Sequence, residues 1–209
     1  MSERLDALAA LVAADLDGDG TVEIHDVHHD SRSVTDGSLF VAIRGFAQDG
    51  HAFIGDAIAA GAAAIVVEKA GSGVGVPQLV VADTRRSIGP LAAAVHGHPS
   101  RELDIVGVTG TNGKTTVTRM IDAVAGQAGI PSAVIGTLGV SVMGEAEPIA
   151  RTTPEAGDLQ RLLRRLVERG VRLVAMEVSS HALTLGRVDG TDFTVTAFTN
   201  LSQDHLDFH

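Results

Sequence analysis

Hydrophobic positions follow two alternating patterns along the chain, and their alternation predicts the fold class. Apolar residues at helical spacing predict helices over residues 3–14, 53–61, 87–96, 114–128 and 155–170. Short apolar runs, typical of buried strands, lie at residues 22–27, 39–43, 64–68, 78–82, 105–109, 132–136, 173–178 and 195–199. Strands that are apolar on both faces and alternate with helices predict an α/β fold with mostly parallel sheets, covered on both sides.

A turn near Pro99 divides this pattern into two halves. Residues 97–100 read Gly-His-Pro-Ser, a typical turn sequence, and the charged Arg101 and Glu102 follow. The 209 residues suffice for one large domain or two small ones. We therefore expect two α/β domains, at residues 1–99 and 103–209, with an irregular stretch between the strand at 132–136 and Pro154.

Composition excludes several kinds of ligand and indicates where in the cell the protein lies. There are 26 acidic and 16 basic residues, a formal charge of −10, and no cysteine. The acidic excess argues against a nucleic-acid or membrane-surface binder, and the missing cysteines exclude a disulfide scaffold or a thiolate site. Because the N-terminus lacks a signal peptide and the longest apolar run, at residues 57–67, is too short to span a bilayer, we expect a cytoplasmic protein.

A glycine-rich segment between a predicted strand and a predicted helix is the clearest chemical motif. Residues 107–116 read Gly-Val-Thr-Gly-Thr-Asn-Gly-Lys-Thr-Thr, one position away from the usual phosphate-loop pattern. Glycines allow backbone N–H groups to face phosphate, Lys114 brings a full positive charge, and the Thr115 hydroxyl can bind Mg²⁺. The segment predicts binding of ATP with Mg²⁺.

Polar residues at the ends of two later strands belong to the same predicted site. Glu177 ends one apolar strand, and residues 199–207, which include His205, follow the next. Ligands of open α/β sheets collect at the carboxyl ends of strands. A threonine hydroxyl, a carboxylate and an imidazole on neighbouring strand ends can together hold one or two Mg²⁺ ions.

These segments carry a family resemblance. Residues 110–116, 176–183 and 198–209 resemble the Mur ligases of peptidoglycan synthesis, and within them the UDP-N-acetylmuramoyl-tripeptide synthetase branch. In the first half, residues 30–32, 37–43 and 49–51 are similar to that family's uridine-binding domain. The resemblance implies a small N-terminal α/β uridine-binding domain, followed by a P-loop ATPase domain that is truncated at residue 209.

The implied activity is an ATP-dependent amide ligation in which meso-diaminopimelate or L-lysine joins UDP-MurNAc-L-Ala-D-Glu through an acyl phosphate. By motif, the resemblance implies that ATP is bound by Gly110, Thr111, Asn112, Gly113, Lys114, Thr115 and Thr116. It implies catalytic roles for Lys114, Glu177 and His205, and Mg²⁺ binding by Thr115, Glu177 and His205. Contacts with the UDP-sugar peptide are implied for Ser31, Phe46, Ala47, Gln48, Thr152, Thr153, Ser179 and Arg187. A monomer is expected.

Two departures from the family pattern leave alternatives open. Leu185 stands where many relatives carry a polar residue, and the sequence stops before the family's metal-bridging lysine and C-terminal domain. The amino acid that is added is therefore not identified. One alternative is another ligase of the superfamily, of folylpolyglutamate or cyanophycin type, although the Asp30-Ser31-Arg32 domain argues against it. The other is an inactive fragment that binds nucleotide or UDP-sugar.

Three weaker patterns have simpler interpretations. Residues 15–26 resemble a calcium-binding loop, but no exiting helix follows, and a turn is the better interpretation. Histidines at 28, 29, 96 and 98 are interpreted as solvated loop residues. Arginines at 161, 164, 165 and 169 are interpreted as a solvated face opposite the leucines of their helix.

Overall fold

The structure, a computed structural model, describes residues 1–45, 48–147 and 152–203. The chain divides into two compact units, one from Met1 to Gly97 and one that begins at His98. Each unit contains its own mostly parallel sheet, which confirms the predicted α/β fold class. The ligand-binding roles expected for the two domains remain predictions.

The first unit is built on a five-stranded sheet. Its elements are β1 (Glu3–Arg4), α1 (Leu5–Leu11), β2 (Asp15–Asp17), β3 (Glu23–Ile24), β4 (Asp26–His28), β5 (Ser38–Val41), α2 (Ile54–Ala59), β6 (Ala62–Val67), β7 (Gln78–Val80) and α3 (Thr84–Val95). The strand order is β2-β7-β6-β5-β4, in which only β2 is antiparallel to its neighbour, and β1 and β3 form a separate ribbon. Phe40, Ala42, Ala57 and Ile65 belong to a core formed where α2 lies against the sheet.

Three details of this unit refine or correct the sequence predictions. The predicted strand at 22–27 is two strands, because the chain leaves the β1 ribbon at Ile24 and joins β5 from Asp26 onward. The segment that resembled a calcium loop begins with β2, which pairs with β7, so its acidic residues do not share one loop. Helix α3 begins at Thr84, three residues before its predicted start, because the Asp83 side chain caps it by accepting from Arg86 N at 3.0 Å.

The second unit is built on a six-stranded sheet. Its elements are β8 (Asp104–Thr109), α4 (Lys114–Gln127), β9 (Ser132–Gly136), β10 (Gly139–Val142), β11 (Glu145–Glu147), α5 (Ala156–Glu168), β12 (Leu173–Glu177), α6 (Ser180–Thr184) and β13 (Val195–Phe198). The strand order is β11-β10-β9-β12-β8-β13, and the last four are mutually parallel. Because parallel strands end at one edge, the residues that follow β8, β9, β12 and β13 meet there.

Helix α5 shows why its residues form an amphipathic helix. The core of this unit includes four α5 leucines, at positions 159, 162, 163 and 166. Arg161 within α5 and Arg169 directly after it pair with carboxylates, whereas Arg165 is exposed. The interpretation of the arginines as one solvated face is wrong for Arg164, which is buried and ion-paired with Glu102 at 2.5 Å.

The stretch predicted to be irregular contains a β-hairpin. Strands β10 and β11 pair with each other and extend the sheet beyond β9. Their two-residue turn, Met143-Gly144, has positive φ at both positions, +49° and +90°. Such turns match the twist of a hairpin, and they usually carry Asn-Gly. With methionine at the first position, the sequence does not indicate this turn.

The edge strand β13 differs from the other parallel strands. Val195 and Phe198 are 52% and 64% exposed, so the expectation that both faces of the sheet are covered does not hold here. Among the described residues β13 pairs only with β8. Throughout residues 1–45, 48–147 and 152–203, no helix is long and apolar enough to cross a membrane.

Candidate functional site

The phosphate loop joins β8 to α4, as the sequence predicts. Gly110 and Gly113 have φ values of +129° and +87°, a region that glycine enters at little cost. At Gly110 a Cβ atom would also lie 2.2 Å from Thr199 Oγ1. The backbone conformation therefore favours glycine at both positions, and at Gly110 the close approach of the segment after β13 excludes a side chain as well.

Positive charge is concentrated inside this loop. Lys114 Nζ donates to the carbonyl oxygens of Gly110 and Thr111, at 2.7 and 3.0 Å. The Val117 N–H donates to Gly113 O, so the N–H groups of the preceding turn, residues 114–116, have no acceptor within α4. A lysine ammonium beside free N–H groups at the positive end of a helix is suited to phosphate.

Residues after β13 hold the loop from its outer side. Asn112 N donates to Asn200 Oδ1 at 3.0 Å, and Asn200 Nδ2 donates to Asn112 O at 3.1 Å. Thr199 Oγ1 lies 2.6 Å from Asn112 O, and Thr111 N donates to Asn200 O at 3.0 Å. The sequence placed residues 199–207 near the metal but did not indicate these contacts, because nothing local in the pattern reports a pairing 88 residues away.

The buried carboxylate of Glu177 lies beside the loop. Only 1% of the residue is exposed, and its Oε1 accepts from Thr115 Oγ1 and from Thr137 N, each at 3.0 Å. Thr137 Oγ1 donates to Oε2 at 3.2 Å. Strand β12 lies between β8 and β9, and this order brings the end of β12 to the start of α4.

Thr115 and Glu177 fit a magnesium ion in their chemistry, since Mg²⁺ prefers hydroxyl, carboxylate and water oxygens and needs few protein ligands. The third predicted ligand, His205, lies outside the described residues. Within residues 1–45, 48–147 and 152–203, no cluster of three or more histidine, aspartate or glutamate side chains is arranged to hold a metal. The metal role of these residues stays a prediction.

Three predicted substrate residues lie near Glu177, and one of them, Thr153, contacts it. Thr152 Oγ1 lies 3.2 Å from Thr137 Oγ1. Thr153 is 1% exposed, and its hydroxyl donates to Glu177 O at 2.9 Å. Ser179 Oγ accepts from Ala182 N at 3.1 Å and caps α6. In this structure the hydroxyls of Thr153 and Ser179 hold the backbone of the site, and their predicted contacts with substrate stay predictions.

Arg187, predicted to bind a substrate carboxylate, has a carboxylate beside it within the protein. Its Nε lies 3.0 Å from Glu155 Oε1, and both side chains are largely buried. Glu155 directly follows the segment that carries Thr152 and Thr153, so this ion pair ties the end of α6 to that segment. No motif in the sequence singled out Glu155.

Two predicted substrate residues are described in the first unit. Ser31 lies in a short 3-10 turn after β4, and Gln48 closes a loop after β5 in which Gly45 N donates to Gln48 O at 2.9 Å. Because β4 and β5 are parallel neighbours, both segments leave the same edge of the sheet. Phe46 and Ala47 lie outside the described residues.

The turn that carries Ser31 is fixed by an ion pair. The Arg32 guanidinium lies 2.6 Å from Asp30 Oδ2, and the same carboxylate accepts from Arg32 N at 3.0 Å. The hydrogen bond from the Arg32 side chain lowers the pKa of Asp30 from 3.8 to about 2. The anionic form of Asp30 therefore supports the turn at neutral pH.

The interpretation of the histidines as solvated loop residues is wrong for His28 and His96. Both are buried, and their Nε2 atoms lie 3.3 and 3.1 Å from the two carboxylate oxygens of Asp26. His28 ends β4 and His96 follows α3, so this cluster joins the helix to the sheet.

Comparisons with known proteins place both units in one family. Residues 23–107 match the family model described as Mur ligase family, catalytic domain, and residues 108–209 match the Mur ligase middle domain. The chain is 50% identical over 190 residues to the UDP-N-acetylmuramoyl-L-alanyl-D-glutamate--2,6-diaminopimelate ligase of Geobacillus kaustophilus (strain HTA426), covering 91% of this chain and 39% of that protein. The ligase of the same name from Geobacter metallireducens is 47% identical, over 99% of this chain and 41% of that protein.

Solved structures give the same result. A structure of UDP-N-acetylmuramoyl-L-alanyl-D-glutamate--2,6-diaminopimelate ligase superposes with a TM-score of 0.84 at 29% identity, covering 100% of this chain and 42% of that one. MurF ligase from Thermotoga maritima in complex with ADP shares the fold, with a TM-score of 0.58 at 19% identity over 88% of this chain and 39% of that one. The chain spans about two fifths of the length of the curated relatives, 39% and 41%.

Proposed function

We propose, because the chain belongs to the Mur ligase family and carries its N-terminal and middle domains, that it forms part of an ATP-dependent amide ligase of peptidoglycan precursor synthesis. The reaction adds the third residue of the peptide to UDP-MurNAc-L-Ala-D-Glu. The names of the relatives that are 50% and 47% identical support 2,6-diaminopimelate as that residue. Since the chain spans about two fifths of those relatives, the complete reaction is proposed for the protein to which these domains belong.

The reaction has two steps that balance without a further reagent. The substrate carboxylate attacks the γ-phosphorus of ATP, which yields an acyl phosphate and ADP. The amine of the incoming amino acid then attacks the acyl carbon, and phosphate leaves as the amide bond forms. Both steps bring anionic groups together, so a site that offsets negative charge lowers their barrier.

The proposal rests on one observation above the others. Thr115 and the buried Glu177 meet at 3.0 Å, directly beside the lysine and the first turn of α4. Lys114 and the N–H groups of residues 114–116 bind phosphate oxygens, and Thr115, Glu177 and His205 bind Mg²⁺. When bound, Mg²⁺ would offset the negative charge of the ATP phosphates.

The remaining roles complete the proposal. The first unit binds the UDP-MurNAc part of the substrate through Ser31, Phe46, Ala47 and Gln48. Thr152, Thr153, Ser179 and Arg187 bind its peptide. The formal charge of −10 supports a protein that binds neither nucleic acid nor anionic membrane. A cytoplasmic monomer is proposed.

Isothermal titration of the chain with Mg-ATP tests the nucleotide part of this proposal. We expect binding, and we expect Lys114→Ala to weaken it by more than about tenfold, because the ammonium is the one full positive charge that the loop directs at phosphate. The chain has only one other lysine, the exposed Lys69, and Lys69→Ala is the matched control that leaves the affinity unchanged. Equal affinity of both variants would contradict the proposed role of the loop.

A ligation assay addresses the alternative of an inactive binding fragment. The chain is supplied with ATP, UDP-MurNAc-L-Ala-D-Glu and diaminopimelate, and ADP and tripeptide are measured. We expect nucleotide binding without product, because the chain spans only about two fifths of the length of its relatives, 39% and 41%. Tripeptide formed by this chain alone would refute that expectation.

A further inference from the structure

We propose that Thr199 and Asn200 are positioning residues for nucleotide binding, which hold the phosphate loop in its binding conformation before ATP arrives. They act through the backbone of residues 110–112 and do not touch the phosphates. The inference rests on the proposed ATP binding by this loop.

The Asn200 side chain pairs with the backbone of Asn112 in both directions. Its Oδ1 accepts from Asn112 N at 3.0 Å, and its Nδ2 donates to Asn112 O at 3.1 Å. A carboxamide presents one donor and one acceptor side by side, as a neighbouring strand does. Aspartate keeps the acceptor but loses the donor, and places a negative oxygen against the carbonyl of Asn112.

Thr199 completes the hold on the loop. Its hydroxyl lies 2.6 Å from Asn112 O and 3.2 Å from Thr109 O, so it can donate to either end of the turn. The hydroxyl also occupies the space where a side chain at Gly110 would begin, since a Cβ there would lie 2.2 Å from Thr199 Oγ1. Further along, Thr111 and Ser202 exchange two hydrogen bonds, at 3.0 and 3.2 Å.

These contacts divide the N–H groups of the loop into two sets. The N–H groups of Thr111 and Asn112 already donate to Asn200, so they are committed to the shape of the loop. The N–H groups of residues 114–116 have no acceptor within α4 and are left for phosphate. Binding therefore does not have to order residues 110–112, and the affinity gains what that ordering would cost.

The test compares Mg-ATP affinity, by isothermal titration, for Thr199→Val, Thr199→Ser and Asn200→Asp. Valine has the shape of threonine without its hydroxyl, whereas serine keeps the hydroxyl. We expect Thr199→Val and Asn200→Asp to weaken binding about tenfold, the equivalent of one hydrogen bond, and Thr199→Ser to bind within about twofold of the unsubstituted chain. Rescue by serine separates positioning from general packing.

Amide hydrogen exchange of the nucleotide-free chain gives a second measurement, which does not depend on binding. We expect the N–H groups of Thr111 and Asn112 to be protected in the unsubstituted chain. They should exchange faster in Asn200→Asp, because repulsion between the new carboxylate and Asn112 O drives residue 200 away from the loop. Unprotected N–H groups in the unsubstituted chain would overturn the proposal even if a variant failed to fold. Equal ATP affinity of the three variants and the unsubstituted chain would overturn it while the proposed function stands. Absence of ATP binding by the unsubstituted chain would overturn both.

Discussion

Gly136 lies so close to the Glu177 carboxylate that one added methyl group would displace it. A Cβ at this position would be 2.1 Å from Oε1 and 2.7 Å from Cδ of the buried Glu177, so that side chain would have to shift. The small residue at the end of β9 therefore decides where the carboxylate points. Side-chain geometry of this kind is invisible in the sequence, which shows only that a glycine ends an apolar run.

We predict that Gly136→Ala moves Glu177 away from Thr115 and Thr137 and lowers the free energy of unfolding by about 1–3 kcal/mol. Mg-ATP affinity should fall with it. The matched control is Gly126→Ala in α4, where a Cβ meets nothing within 4 Å. This control should raise the free energy of unfolding by about 0.5–1 kcal/mol, because alanine favours helix. Urea unfolding of both variants, beside nucleotide titration, measures the two effects.

We predict that Arg32→Ala raises the pKa of Asp30 from about 2 towards its unfolded value of 3.8. Because the folded pKa is lowered, the ion pair contributes stability above pH 4, and the contribution is lost as the pH falls through about 2. The free energy of unfolding of Arg32→Ala should thus be lower than that of the unsubstituted chain at pH 5 and similar to it near pH 2. Carbon-detected NMR titration of the carboxyl group measures the pKa, and Arg101→Ala, which removes a pair with Asp192, should leave it unchanged.

Individual elements were predictable where one physical signal dominates. Strands β9 and β12 are mostly apolar and almost entirely buried, and their predicted positions agree with the structure to within one residue. Helix α5 was predictable because its four buried leucines recur at helical spacing. The hairpin β10–β11 was missed because Met143 occupies a turn position that usually reveals itself by asparagine, and α6 because five residues are too few to show a period.

The buried and exposed residues of α5 should contribute very differently to stability. Leu163 is fully buried in the core of the second unit, whereas Arg165, two residues on, is exposed. We predict that Leu163→Ala lowers the free energy of unfolding by about 2–5 kcal/mol, through lost contacts and the cavity left behind. Arg165→Ala should change it by no more than about 0.5 kcal/mol. Similar losses in urea unfolding for the two variants would contradict the assigned burial.

The protein as a whole carries a net charge of −10, which disfavours the binding of an anionic ligand. Positive charge is instead supplied locally, because the Lys114 ammonium lies within the loop that the first turn of α4 follows. The sequence predicted those two devices, since both belong to one contiguous motif. It did not predict the hold of Thr199 and Asn200 on the loop, nor the Arg187–Glu155 pair, because each joins segments that only the folded chain brings together.

The contact between Asn112 and Asn200 also has a consequence for the order in which the protein is made. The two residues are 88 positions apart, so the phosphate loop leaves the ribosome well before the side chain that shapes it. At about 5–20 residues per second, the delay is roughly 4–18 seconds. During that time β8, α4, β9 and β12 can assemble, while the loop lacks its outer support. The loop conformation proposed for nucleotide binding therefore forms only after residue 200 has been made, long after the loop itself.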